Sequence, residues 1–520
     1  MTSIRVFFNS DLYKEHFNLT LSHPLNLITN IGSFNNANPD SISEDKQQKQ
    51  YFWKRYQLAG CIDEPNSRPY LSLPYFVLSI KPKEYMYTLP YSYEEKFIPS
   101  YVMAIYEREA SHLNILRSVD QGVKTSQFLQ IDKFIASKTA EITNDSLNFQ
   151  KLKNIHNAIT NEFAFANDID VFKGIDTRDE RIGDYLSAQT LRDISRYTTY
   201  VALISKIGLN YYTAYLMDKR IGELSEIFIS PMFDGDYLIA PFLKNGKVHF
   251  IYPKKSKFGY YLDELPFYFE NTKTRLINVD DYLDYKKPME EQFRTIKTLS
   301  SGVANNSRKS NVIVDINVEN LTAKFDAKIL LLGQYSTLTR GLYKSNFIEP
   351  NINKKYGQKI WEIDNNVKLI KQEILSEEKG FPFKTSIKAQ YSCNNLIKKE
   401  GNTYSIPLNN WFNHIIYPDF SEKRYLDFYP DFCGTDTYSY MIQFSKNIKL
   451  KQEFKKIEIK NSFGNLVISI EQPQPNTIRI TSYLGVENEK VSANNANDVK
   501  EVFDAIQNLN AKLLEFTIAE

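Results

Sequence analysis

The apolar residues of this chain keep two different periods, and that alone limits it to folds that combine sheet with helix. Period two, which turns one side of a strand toward a core, holds cleanly at Val312, Val314, Ile316 and Val318. Short aromatic strands are expected at Arg5 to Phe8, Tyr51 to Tyr56 and Tyr75 to Ile80, with a polar stretch from Asn35 to Gln50 between them. Helical spacing takes over from Glu94 to about Phe165: Ile131, Phe134 and Ile135 recur at it, then Leu152, Ile155, Ala158, Ile159 and Phe163. The 35 Tyr and 34 Phe tilt the balance of the whole chain toward strands, because aromatic side chains suit pleated, half-buried positions.

A second helical block starts near Thr190. That residue stands where an N-cap would, Asp193 follows three residues on, and Ile194, Tyr197, Val201 and Ile204 form an apolar stripe. Gly208 closes the helix as a C-cap. Strands follow at Leu209 to Met217, Asp236 to Leu243 and Lys247 to Tyr252, the last two joined by a hairpin turn at Lys244-Asn245-Gly246. Helix packed on antiparallel sheet is the α+β pattern.

Beyond Asn278 strands return. Ile329 to Leu332, Lys384 to Tyr391, Leu466 to Glu471 and Ile478 to Tyr483 all read as strands, and one long amphipathic helix is expected near 352–378. Asn497 is expected to cap a last helix with Val499, Val502, Phe503, Ile506 and Leu509 on one side, and Leu514 to Ile518 to add a strand. The length of 520 residues leaves room for about three domains, which these patterns place at 1–90, 91–277 and 278–520.

A net charge of +2 and the lack of any Lys/Arg block set nucleic acid aside as a partner. Cys61, Cys393 and Cys433 make no CxxC pair and leave one over; they therefore define neither a zinc site nor a disulfide framework, and read as buried free thiols. No metal or cofactor is expected. No window reaches the ~18 apolar residues of a membrane span, and the first residues lack the apolar stretch of a signal peptide.

The stretch Arg192 to Leu216 resembles the nucleophile helix and following strand of transglutaminase-like domains, with Gly208-Leu209 supplying the turn between them. Tyr237 to Pro253 resembles that family's next pair of strands, in which a His opens the first and an Asp-Pro closes the second. The match places the family's cysteine at Asp193, its histidine at Tyr237 and its aspartate at Tyr252, with Pro253 kept. The order of further matches is similar to a bacterial group of multidomain proteins. Tyr51 to Leu58 with Glu64-Pro65 and Pro74 resembles the end of an N-terminal β-domain of unknown function; Gly333-Gln334-Tyr335-Ser336-Thr337 with Arg340 resembles the opening of a C-terminal one, and Arg424 to Phe428 its later half.

The resemblance implies an α+β multidomain chain: a central papain/transglutaminase-like domain flanked by antiparallel β-sandwich domains, the first cut short before Trp53. It also implies lost chemistry. Cysteine acyl transfer needs a thiolate, a proton-carrying imidazole and an acid that orients it; an aspartate and two phenols supply none of the three. A non-catalytic binding or scaffold module of the bacterial cell envelope is the expectation, with a peptide, a glycan or an envelope protein as partner and tyrosines such as Tyr211, Tyr212 and Tyr215 lining the cleft. A periplasmic or envelope-associated location is implied by the resemblance, and a cytoplasmic one stays open. The alternative is an active cysteine enzyme, transglutaminase- or protease-like, or a carboxylate-based hydrolase. Other residue types set up no triad by local spacing: His249 reads as a half-exposed strand residue, His414 as lacking a carboxylate nearby, and the acidic run Asp168, Asp170, Asp176, Asp179, Glu180 and Asp184 as a solvated loop.

Overall fold

Trp53 and Phe76 stack face to face, ring centroids 4.6 Å apart, and pin together two small sheets at the start of the chain. The computed structural model describes residues 2–82, 126–142, 147–166, 182–224, 235–253, 260–277, 293–345, 367–409, 411–412, 414–415 and 423–519. They divide into two units, Met1–Leu299 and Ser300–Glu520.

In the first unit β1 (Thr2–Phe7), β2 (Lys14–Pro24), β3 (Leu27–Phe34), β4 (Ser41–Glu44), β5 (Gln48–Leu58) and β6 (Tyr75–Pro82) form two sheets of order β1-β6-β3 and β2-β5-β4. Phe8, Tyr51, Trp53, Phe76 and Leu78 fill the space between them, and the one polar atom of the Trp53 ring donates to the Ala37 carbonyl at 2.9 Å. Polar atoms buried in such cores need partners, and here the turn after β3 supplies it.

Helices α1 (Ser126–Thr139) and α2 (Asn148–Glu162) hold the apolar repeats expected from Ile131 and from Leu152, while 94–125 of the expected helical stretch lies outside the described residues. Next come β7 (Ala164–Ala166), α3 (Ile182–Ser187), β8 (Thr190–Arg192) and α4 (Asp193–Lys206). Thr190 is therefore not the cap of α4: it lies in β8, which pairs in parallel with β7, and Asp193 is the first helical residue. Gly208 ends the helix as expected, with φ +72°. Its N–H reaches the Ser205 carbonyl at 3.0 Å and the Leu209 N–H reaches that of Ile204 at 3.1 Å, the paired bonds of a Schellman turn. Strands β9 (Asn210–Met217), β10 (Gly235–Phe242), β11 (Lys273–Ile277) and β12 (Phe293–Lys297) make one sheet of order β10-β9-β11-β12. One side of this sheet takes the helices: Ile155, Ile159, Tyr197, Val201 and Ile204 pack with Ile239 and Ile251. The other side packs Ala214, Leu216, Leu238 and Ala240 against Tyr252, Leu265 and Phe269.

The second unit is built on an eight-stranded sheet of order β15-β16-β14-β13-β19-β23-β22-β21. Its strands are β13 (Ser307–Asn317), β14 (Thr322–Leu332), β15 (Lys368–Glu378), β16 (Lys384–Cys393), β19 (Gly434–Phe444), β21 (Ile457–Lys460), β22 (Gly464–Gln474) and β23 (Thr477–Val486). A smaller sheet holds β17 (Lys398–Glu400), β18 (Thr403–Pro407), β20 (Ile448–Leu450) and β24 (Leu513–Ile518). Helices α5 (Gln334–Ser345) and α6 (Ala496–Asn510) complete it. The alternation at Val312, Val314 and Ile316 sets β13 opposite Ala327, Phe325 and Ala323 of β14, so their side chains share the core with Ile406, Phe516, Val502 and Ile506. The pairing is antiparallel throughout except for β13 with β19. Helix α6 begins at Ala496 with Asn495 at the cap position, two residues ahead of the expected Asn497.

The helix expected over 352–378 is corrected. Residues 352–366 lie outside the described residues, and Lys368–Glu378 is β15, the edge strand. Two register shifts, between Leu369 and Lys371 and between Ile374 and Ser376, break the period-two pattern and leave Ile370 and Leu375 exposed at 62% and 52%. Bulges of this kind disguise a strand, because each one inserts a residue into the alternation.

Gly333 explains why the Gly333-to-Thr337 run reads as a unit. Its φ is +57°, and a Cβ there would land on the side-chain oxygen of Asn306 and the carbonyl of Asn305. That Asn306 oxygen accepts the Gln334 N–H at 2.8 Å, and its amide donates to the Cys433 carbonyl at 2.9 Å. Gly333→Ala should lose about 1–2 kcal/mol for the left-handed backbone alone, with the clash added, and urea unfolding should show the midpoint falling with m unchanged.

Candidate functional site

The centre of interest is the sheet β10-β9-β11-β12 and the helix α4 that opens it. Tyr197, one turn into α4, bonds through its hydroxyl to that of Thr213 on β9 at 2.6 Å, which fixes the helix over the middle of the strand. Asp193 stands at the N-terminus of α4. Tyr237 pairs with Tyr215 across β10 and β9. The turn after β10 forms as expected, with Gly246 at φ +81° and the Leu243 N–H donating to the Lys247 carbonyl at 2.9 Å, but the strand expected at Lys247 to Tyr252 is reduced to two isolated bridges, Phe242 with Val248 and Ile239 with Ile251.

Tyr252 is out of phase with Ile251, and the structure turns it to the other face. There it packs against Tyr260 and Phe269 with ring centroids at 5.2 and 5.4 Å, and its hydroxyl donates to Asp236 at 3.1 Å. Burial, with the Asp236 charge beside it, pushes this phenol far above its ordinary value. It keeps its proton and cannot act as an acid that orients an imidazole. Tyr252 is thus brought to Asp236, on the face away from the helices.

Of the three cleft tyrosines, Tyr215 is core, exposed by only 3%. Tyr212 is half-buried and stacks on Phe242 at 4.5 Å, and Tyr211 flanks the helix-side core. The thiols are no nearer to a site. All three cysteines are buried and free, and burial, reinforced by Glu64, pushes Cys61 up to about 11. A thiolate there is disfavoured at neutral pH.

Two histidines of this unit have partners that no local spacing showed. His156 on α2 accepts from the Tyr200 hydroxyl at Nδ1, 2.7 Å, and donates from Nε2 to the Tyr260 carbonyl at 2.8 Å. A carbonyl can only accept, so the proton sits on Nε2. Burial holds this imidazole down to about 4. His249 corrects the sequence expectation: it is not half-exposed but 5% exposed. Its Nδ1 meets Asp263 Oδ2 at 2.7 Å, and the other oxygen of Asp263 accepts the Phe250 N–H at 2.8 Å.

His414 corrects it a second time, because a carboxylate does lie beside it. Nδ1 is 2.9 Å from Asp436 Oδ2 and Nε2 is 2.7 Å from Ser482 Oγ. Serine, imidazole and carboxylate here stand at the spacing of a hydrolase triad. Their surroundings argue against one. Ser482, His414 and Asp436 are exposed by 0%, 2% and 1%, so no acyl carbon can reach the hydroxyl. Asp436 is shared with Arg308, whose Nε donates to it at 2.7 Å. Burial alone would raise the carboxyl, but Arg308 and then His414 offset this and hold it below its ordinary value. The group is a compensated interior charge.

Among the described residues no group of three or more His, Cys, Asp or Glu side chains can hold a metal, and no helix is long and apolar enough to cross a membrane. The carboxylates Asp168 to Glu180 lie outside the described residues, and of the run only Asp184 falls in an element, α3. The histidine partners that sequence reasoning missed are Asp263, Asp436 and Ser482; they lie 14, 22 and 68 residues from the histidines they meet and leave no local pattern.

Residues 402–516 match a domain family of unknown function with a solved structure, DUF3858. No curated protein matches the chain. Among solved structures, one from Parabacteroides distasonis, described as a "putative protease", is similar with a TM-score of 0.49 at 11% identity, over 99% of this chain and 75% of that one.

Two outcomes follow from the buried histidines. Between pH 6.5 and about 4 the unfolded chain takes up a proton that folded His156 refuses, so stability falls as pH drops through that window, by about 3 kcal/mol in all, while above 6.5 the group contributes nothing. Unfolding measured across pH 4 to 8 should show this loss, and His156→Gln should show less of it. Ser482→Ala should cost about 1–3 kcal/mol by leaving a buried imidazole nitrogen unpaired, and Asp436→Asn about 3–5 by stranding Arg308. Neither should change turnover of a chromogenic ester; loss of such turnover in Ser482→Ala would make the network catalytic.

Proposed function

We propose that this chain is a non-catalytic, transglutaminase-like binding or scaffold protein of the bacterial cell envelope. One observation carries the loss of catalysis: no cysteine occurs between Cys61 and Cys393, so the helix that would present a nucleophile, α4, and the sheet beneath it contain no thiol. The remaining slots support the same reading. Asp193 opens the helix without sulfur, and Tyr252 is a protonated phenol committed to Asp236. Cys61 lies in the N-terminal β region with its proton held by burial. The hydrolase alternative has one arrangement of suitable residue types, at Ser482, and its burial leaves it without access.

What survives is a layered α+β body whose half-buried aromatics, Tyr211 and Tyr212, offer amphipathic area to a peptide or glycan strand. An envelope location follows from the resemblance of the ordered motifs, and a peptide or glycan partner from the cleft those motifs describe.

The test compares turnover with binding. Wild type and Cys61→Ala should both fail to incorporate a labelled amine into glutamine peptides or to cleave them, while soluble glycan-peptide fragments of the bacterial wall bind saturably by calorimetry, and Tyr212→Ala weakens that binding without unfolding the protein. Turnover that disappears in Cys61→Ala would overturn the proposal, as would fragments that fail to bind at all.

A further inference from the structure

We infer that His249 is a ligand-facing base: its Nε2 lone pair, kept available by Asp263, accepts a proton or a hydrogen bond from a hydroxyl or amine group of a small molecule. Comparison with the other buried histidines singles it out. Four histidines among the described residues are buried: His23, His156, His249 and His414. Three of them use both ring nitrogens. His23 meets the Pro24 carbonyl and Thr29 Oγ1 at 3.0 and 2.8 Å, His156 meets Tyr260 and Tyr200, and His414 meets Asp436 and Ser482. His249 alone has a buried Nε2 with no partner.

The free nitrogen is the useful one. A carboxylate only accepts, so Asp263 Oδ2 at 2.7 Å keeps the ring proton on Nδ1 and leaves the lone pair on Nε2. Asp263 is itself fixed, by the Phe250 N–H on its other oxygen and by a backbone held at φ +65°. An acid that orients an imidazole and a base nitrogen left open is two thirds of an acid-base relay, and it needs no thiol. Buried polar atoms without partners are rare enough to call for an occupant.

The neighbours narrow that occupant. A metal ion is not supported, since no group of three or more ligating side chains gathers among the described residues. The Phe149 ring lies over the imidazole at 4.3 Å and 33°, closing one face, so a partner approaches in the plane of the ring, at Nε2. The chemistry this nitrogen would recognise is an O–H or N–H donor, with Phe149 beside it as apolar surface. The site does not rest on the cleft reading: His249 takes its backbone bond at Pro241, four residues along β10 from Tyr237, and a failed cleft leaves it intact.

Diethyl pyrocarbonate, mapped by peptide mass on the full chain at neutral pH, tests this with its own controls. The imidazole lone pair adds to one carbonyl carbon of the reagent, and ethyl carbonate departs and breaks down to ethanol and carbon dioxide. Exposed His16 should be modified. His23, His156 and His414, equally buried, should be protected. The inference expects His249 to react alongside His16, and Asp263→Asn to slow His249 while His16 is unchanged. It is overturned if His249 is as protected as the other three, which would make Nε2 a sealed interior atom, or if it reacts at the same rate in Asp263→Asn.

Discussion

Taking an ionisable side chain out of water favours its neutral form, and that one cost arranges the interior of this protein. Cys61 keeps its proton, Tyr252 keeps its own, and His156 refuses a second. Where a charge does stay inside, as at Asp436, a guanidinium and an imidazole surround it. A thiolate of the kind acyl transfer needs would have to be stabilised against the same penalty, and α4 and the central sheet contain no cysteine to carry one; the imidazole of His249 does have a carboxylate beside it, Asp263. Tyr252 packs among Tyr260, Leu265 and Phe269, surroundings that would raise an aspartate placed there rather than keep it ionised.

Strand phase supplies the second constraint. Ile239 bridges Ile251, and with a period of two this sends the residues on either side of Ile251 to the opposite face. His249 and Ile251 share the helix side by parity; Tyr252 belongs with Leu238 and Ala240 on the other. The turn at Lys244-Asn245-Gly246 sets that phase: Leu243 stands opposite Lys247, and the three-residue loop closes with Gly246 in the left-handed region. A single turn thus decides which side chains can meet the helix, and it places His249, not Tyr252, on that side.

How much of this could be read beforehand depends on how far apart the interacting residues lie. The strand at 312–318, the C-cap at Gly208, the hairpin at 244–246 and the apolar stripe of α6 were legible, since each is a pattern within one element. The edge strand β15 was not: its two bulges erase the alternation and leave Leu369, Gln372, Glu373 and Glu377 half-buried, at spacings that suit a helix. Thr190 misled for a related reason, a capping residue type used instead in a three-residue parallel pairing with β7. The site residues split the same way. Asp193 could be placed at a helix start from its neighbours, whereas Asp263, Asp436 and Ser482 reach their histidines through sheet register and loop return.

His414 and His249 show why residue identity is a weaker guide than bonding. The first has serine and carboxylate at triad distances, which looks like chemistry; yet every donor and acceptor in it is used, and a fully satisfied network is rigid and closed. The second has only an aspartate, which looks like less; yet it ends in an open lone pair. A catalytic or binding group must keep one interaction unmade until its ligand arrives, because a bond already formed in the resting protein has to be broken before it can be offered. By that criterion the triad-like trio belongs to the stability of the second unit, and the solitary pair His249 and Asp263 is where the first unit holds something in reserve.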